Sequence, residues 1–163
     1  GYGYGLTISP FQLASAYSVF ANNGIFKDFK LLKDEEVHSR RVISQSTASN
    51  ILKALEMVTI DGTGKAANVN GFSQGGKTGT THQIRVGSGY AEDSYRASFI
   101  GITPLSEQSL TIFVSIDDPG LNSYSGGSVA APVFAKIAEN SLNHLGYFED
   151  EWIRRNIGYQ NSQ

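Results

Sequence analysis

The chain has 163 residues, 40% of them apolar, which is enough for one hydrophobic core and too few for two. Its net charge of −2 comes from acidic and basic residues interspersed along the chain, leaving neither a nucleic-acid footprint nor a polybasic membrane patch. There is no cysteine, and the histidines His38, His82 and His144 are too far apart for metal-ligand spacing, so neither a structural metal nor another cofactor is expected.

The opening Gly1-Tyr-Gly-Tyr-Gly-Leu6 has no Met and reads as a loop or strand already inside a fold, which suggests a piece of a longer protein. No run approaches the ~18 apolar residues of a membrane helix, and the start lacks a signal-peptide layout, so any targeting element is expected outside this chain. Ser9-Pro10-Phe11-Gln12 combines an N-cap serine, a proline at the first helical position and a glutamine at capping-box spacing. It predicts a helix to Asn22 or Asn23, with Gly24 as the left-handed stop. Phe11, Leu13, Ala14, Ala16, Tyr17, Val19, Phe20 and Ala21 spread around nearly the whole circumference, so this helix is expected to be buried on most sides. Residues 25–43 alternate apolar and charged groups and read as short strands or loop, with Lys27, Lys30, Lys33 and Asp34 to Glu36 solvated. A second helix is predicted after Ser44, carrying Ile51, Leu55 and Val58 on one face and ending at Asp61-Gly62.

Gly75-Gly-Lys-Thr-Gly-Thr80 is the stretch with chemistry in it. On an extended strand, positions 78 and 80 share one face while 77 and 79 take the other. The Thr78 and Thr80 hydroxyls can then converge on one anion, with Lys77 adding positive charge. Gly79 has no Cβ, so a peptide-like ligand can approach the strand edge as an added strand would. Together they suit a peptide substrate ending in a carboxylate. Gly71 to Thr78 also fits the phosphate-binding P-loop pattern. That motif needs a buried strand before it and a helix opening directly after it. Upstream residues 61–71 are polar and broken by glycine, and residues 81–89 have no helical period, so the strand reading is preferred.

Arg96 to Ile102 and Ser109 to Ile116 are predicted strands separated by a turn, giving an antiparallel meander with the Lys77 strand. Asp117-Asp-Pro-Gly120 turns the chain, and Tyr124 to Gly127 loops it. Ser128 is expected to begin a helix to about His144, with Pro132 in its first turn. Val129, Val133, Ile137 and Ala130, Phe134, Ala138 give that helix two apolar stripes. Residues 146–163 are expected to form a peripheral tail. Asp117 and Asp118 are adjacent in a turn, so they read as turn chemistry and not as an acid–base pair. His82 reads as a polar residue at a strand end and not as a catalytic base.

Several stretches in order carry a family resemblance: Gly-Tyr-Gly-Leu-Thr-Ile-Ser-Pro-Phe-Gln-Leu-Ala at 3–14, Ala21 to Gly24, Gly76 to Thr80, Tyr95 to Gly101 and Gly126 to Phe134. Together they resemble the C-terminal part of the transpeptidase domain of class B penicillin-binding proteins, nearest the division-type branch, penicillin-binding protein 3. The resemblance implies a mixed α/β fold of the penicillin-binding-protein/serine β-lactamase kind, with antiparallel strands flanked by helices over residues 1–145. It also implies a serine acyl-enzyme that cross-links peptidoglycan stem peptides and is acylated by β-lactams, on the outer face of the cytoplasmic membrane among division proteins. Lys77 and Thr80 would be its catalytic residues here, with the Thr80 N–H as one oxyanion donor. Thr78, Gly79, Thr80, Tyr95 and Tyr124 would line the substrate cleft. The family also needs Ser-x-x-Lys and Ser-x-Asn. Neither stands before Lys77, and the single Ser-x-Asn, Ser141-Leu-Asn143, falls in the last predicted helix. This chain alone is therefore expected to be inactive, its nucleophile supplied by an N-terminal remainder of the same protein. A penicillin-recognising sensor, or an inactive peptidoglycan-binding homologue, is the alternative. A serine β-lactamase shares the Lys-Thr-Gly motif, but the matches at 3–14 and 126–134 favour the transpeptidase.

Overall fold

A computed structural model describes residues 7–85, 89–106, 108–120 and 122–147, with the backbone alone at 84, 85 and 89–93. The Gly-Tyr opening at 1–6 and the expected tail from 148 to 163 lie outside the described residues.

Local capping rules set the two long helices before the sheet. Helix α1, Pro10–Ala21, starts with a reciprocal pair: the Gln12 N–H donates to Ser9 Oγ at 3.2 Å and the Ser9 N–H to Gln12 Oε1 at 3.1 Å. It ends in left-handed backbone at Asn23 (φ 54°) and Gly24 (φ 84°), and the Gly24 N–H closes the last turn on the Val19 carbonyl at 2.9 Å. The first left-handed residue is thus Asn23, one before the glycine. Against the expectation of burial on most sides, only Val19 of α1 is fully buried; Leu13, Ala14, Tyr17, Phe20 and Ala21 are half-buried, and Phe11 is 48% exposed. The apolar residues circle the helix, and the elements packed around it cover most of them only in part.

Strands β1, Ile25–Lys27, and β2, Ser39–Arg41, then pair antiparallel as a small separate ribbon. Helix α2, Gln45–Ile60, begins where Ser44 Oγ accepts the Thr47 N–H at 3.0 Å, and it buries Ala48, Leu55 and Thr59. Ile51 and Val58 of the expected stripe are half-buried beside them.

The main sheet is the predicted meander: β3, Gly75–Arg85, β4, Gly89–Thr103, and β5, Leu110–Asp117, antiparallel in that order. Register sets the faces. Thr78 stands opposite Phe99 and Thr80 opposite Ala97, while Lys77 stands opposite Ile100 and Gly79 opposite Ser98. On the Phe99 face the core closes against helix α3, Ala131–His144, through the Phe99 and Phe134 rings, 4.9 Å apart and both fully buried. On the other face, a methyl at Gly75 would meet Leu55 of α2, and Ile102 shares a hollow with Ala21 and Leu52. The sheet is therefore flanked by helices on both faces, a mixed α/β arrangement.

Two predictions at α3 need correcting. The chain coils before Ser128, because the Ser125 hydroxyl accepts the Ser128 N–H at 3.2 Å and caps a wide turn, Gly126–Ala130, that runs into α3. Only the Ala130, Phe134, Ala138 stripe is buried. Val133 and Ile137 are 39% and 43% exposed, because the sheet lies against one side of the helix only. The chain turns at residues 70–72, and Lys77 and Thr78 lie inside strand β3. No helix N-terminus stands at that motif to receive phosphates.

Candidate active site

Among the described residues no strand pairs with the outer side of β3, so residues 77 to 81 present an open sheet edge. The strand is fixed at its start: Gly75 and Gly76 are buried, and the Thr59 hydroxyl donates to the Gln74 carbonyl at 2.8 Å. From Lys77 onward it emerges. Lys77 and Thr78 point to opposite faces and β4 closes the other side, yet the Lys77 ammonium donates to the Thr78 carbonyl at 2.9 Å and lies 3.5 Å from Thr78 Oγ1. The side chain must reach over the open edge to do so. It places the cation beside the Thr78 hydroxyl.

Thr78 and Thr80 share the face that the coil before α3 covers. The Thr80 hydroxyl oxygen accepts the Gly126 N–H at 3.1 Å, and Thr78 Oγ1 is 2.9 Å from Thr63 Oγ1. Gly126 is seated so closely that a Cβ there would overlap the Ser98 carbonyl and stand 2.5 Å from the Gly79 carbonyl. Only glycine lets the coil reach the strand. The space a side chain at Gly79 would fill is on the opposite face, against Ser98 Oγ at 2.5 Å. Neither Thr63 nor Gly126 stood out as a site residue in the sequence. The signals available were the Gly-Thr-Gly setting of Thr63 and the paired glycines at 126–127.

Further along the same face the rings gather. Tyr95 stacks on Tyr124 with centroids 4.2 Å apart and planes at 20°, and the His82 ring lies 4.6 Å from Tyr95. The structure thus brings Tyr95 and Tyr124 together beyond Thr80, with His82 exposed on the strand as expected. Asp117 and Asp118 do not act as a pair. Asp117 forms a two-point ion pair with Arg96, whose hydrogen bonds hold its carboxyl below the usual range against an opposing desolvation effect, with the guanidinium charge adding to the lowering. Asp118, in left-handed backbone at φ 48°, accepts the Ser94 hydroxyl at 2.6 Å. No group of three or more His, Cys, Asp or Glu side chains among the described residues is arranged to hold a metal.

The outer edge of β3, on a helix-flanked antiparallel sheet, thus carries a cation and two threonine hydroxyls side by side. Residues 1–139 match the family described as the penicillin binding protein transpeptidase domain, and the chain belongs to that family. Its relatives are of the class B type. It is 35% identical over 158 residues to stage V sporulation protein D of Bacillus subtilis, covering 89% of this chain and 24% of that protein. It is 39% identical over 147 residues to the probable peptidoglycan D,D-transpeptidase PenA of Neisseria flavescens, covering 89% and 36%. Peptidoglycan D,D-transpeptidase FtsI of Escherichia coli is 34% identical over 152 residues, covering 91% and 26%. The apo transpeptidase domain of Burkholderia pseudomallei penicillin-binding protein 3 superposes with a TM-score of 0.79 at 38% identity, over 91% of this chain and 46% of that one. The chain thus spans between a quarter and about a third of the length of these curated relatives.

Proposed function

We propose that residues 1–145 are the C-terminal portion of the transpeptidase domain of a peptidoglycan D,D-transpeptidase, with 146–163 a peripheral extension. The chain supplies the Lys77–Thr80 wall of a site whose serine nucleophile comes from the N-terminal remainder of the same protein. In the reaction the serine oxygen bonds to the carbonyl of the penultimate D-alanine of a stem peptide, and the terminal D-alanine leaves as the peptide bond breaks. An amine of a second stem peptide then displaces the serine and forms the cross-link. Lys77 raises the positive potential of the cleft. Thr78 and Thr80 hydroxyls bind the terminal carboxylate, or the carboxylate of a β-lactam, while the substrate backbone lies along the edge by Gly79. The Thr80 N–H stabilises the oxyanion as the tetrahedral intermediate forms, and Tyr95 with Tyr124 walls the substrate beyond it.

The observation that carries this reading is the Lys77 ammonium reaching over the unpaired edge of β3 to the Thr78 hydroxyl. The wider setting is part of the same proposal, supported by the likeness to peptidoglycan D,D-transpeptidases: septal cell-wall synthesis with division proteins at the outer face of the membrane, and sensitivity to β-lactams. Labelling of the complete protein with a fluorescent penicillin tests it. Wild type should be acylated and should release D-alanine from a stem pentapeptide, and Lys77→Ala should slow acylation about 10²- to 10³-fold with melting unchanged. Labelling without D-alanine release would make the protein a sensor. No labelling would remove the enzyme reading.

A further inference from the structure

We infer that Thr63 is a positioning residue for the Thr78 hydroxyl, making the site selective for ligands that carry a free carboxylate. The inference rests on the transpeptidase reading and deepens it. A hydroxyl has one proton to give, and a threonine whose oxygen already accepts from a fixed donor has that proton directed toward an acceptor such as an anion. At Thr80 that donor is settled: a backbone N–H can only donate, and the Gly126 N–H points at Thr80 Oγ1 from 3.1 Å. Its proton is left for a ligand. At Thr78 a side-chain hydroxyl that can either donate or accept stands where the fixed N–H stands at Thr80. Thr63 Oγ1 stands 2.9 Å from Thr78 Oγ1, and the Lys77 ammonium, itself unable to accept, flanks the hydroxyl from the edge.

When a carboxylate sits at the edge, the hydrogen bonds run in one direction, from Thr63 O–H to Thr78 Oγ1 and from Thr78 O–H to the anion. Each bond in such a chain polarises the next, and the bond that ends on a charge is the strong one. Thr63 is held for this task. It follows the Asp61 cap of α2, the Gly64 N–H donates to the Val58 carbonyl at 2.9 Å, and Gly127 packs so tightly on the Thr63 carbonyl that a Cβ there would overlap it. Thr63 is an exposed residue, so removal of its hydroxyl leaves the core intact.

The test uses the complete protein and compares the second-order acylation rates of benzylpenicillin and its methyl ester, which lacks the anionic oxygen. Wild type should prefer the free acid. In Thr63→Val that preference should fall by about five- to tenfold, the effect of one lost orienting hydrogen bond, with the ester rate nearly unchanged. Thr63→Ser, which keeps the hydroxyl, should restore it. Added to Thr78→Val, the Thr63→Val change should have no further effect, because its only route to the ligand is gone. An unchanged preference in Thr63→Val, or an equal fall in both rates, overturns the inference while leaving the transpeptidase reading intact. If Thr63→Val does not fold, Thr63→Ala is measured in its place and judged by the same ratio. A wild type acylated by neither compound overturns both.

Discussion

At Gly76, near the start of β3, an added methyl would collide with the Phe99 ring and stand 2.6 Å from the Ile100 carbonyl. Three residues on, at Gly79, the same methyl would meet only the Ser98 hydroxyl, at 2.5 Å. The first glycine is buried between neighbouring strand and core, while the second is half-buried at the open edge. One residue type in one strand therefore does two jobs. The buried end anchors β3 against Phe99 and α2, and with β4 on one side that anchorage holds Lys77, Thr78 and Thr80 in register while, among the described residues, no strand pairs with their outer side. A site that binds an extended peptide at a sheet edge needs both: a rigid support and a vacant edge.

Swapping alanine into each half separates them. Gly76→Ala should cost about 1–3 kcal/mol, because the obstructing carbonyl is backbone and cannot rotate away; urea denaturation would measure it. Comparable midpoints for Gly76→Ala and wild type would break the comparison. Gly79→Ala should change stability by less than about 1 kcal/mol, since the Ser98 side chain can turn aside and alanine stiffens the unfolded chain. Its penicillin acylation should nevertheless slow, so melting and labelling measured on one sample would part company at this position.

The smallest expected effect lies at the far side of β4, where Arg96 and Asp117 are each about half exposed. The Asp117 carboxyl is depressed by its hydrogen bonds to Arg96, so its contribution is present above the ordinary aspartate pKa and is lost as pH falls through the lower folded value. Solvent screening limits that contribution to under about 1 kcal/mol. Asp117→Asn should therefore be slightly less stable than wild type near neutral pH and equal to it in acid, a difference that pH-dependent denaturation midpoints would resolve. A larger loss would mean that this rim pair supports the sheet as strongly as the buried end does, and a gain would mean that it does not support the sheet at all.

Much of this was legible in the residues alone. Ser9 and Ser44 cap their helices through bonds to residues three positions on, and a bond that short is encoded by the neighbouring sequence. The meander follows from alternation with period two, and the same period placed Thr78 and Thr80 on one face. What lay beyond reach were contacts set by docking. Thr63 meets Thr78 across 15 residues and Gly126 meets Thr80 across 46, and no local pattern names either partner. The circling apolar residues of α1 and the two stripes of α3 were correctly read as apolar, but which of them the core would cover depended on where the sheet came to rest. Sequence determined the helices, the strands and the chemistry carried on β3, because short-range hydrogen bonds and side-chain period are properties of adjacent residues. Tertiary structure alone decided that β3 would keep an open edge and which groups would stand behind its hydroxyls, because both depend on how distant segments pack.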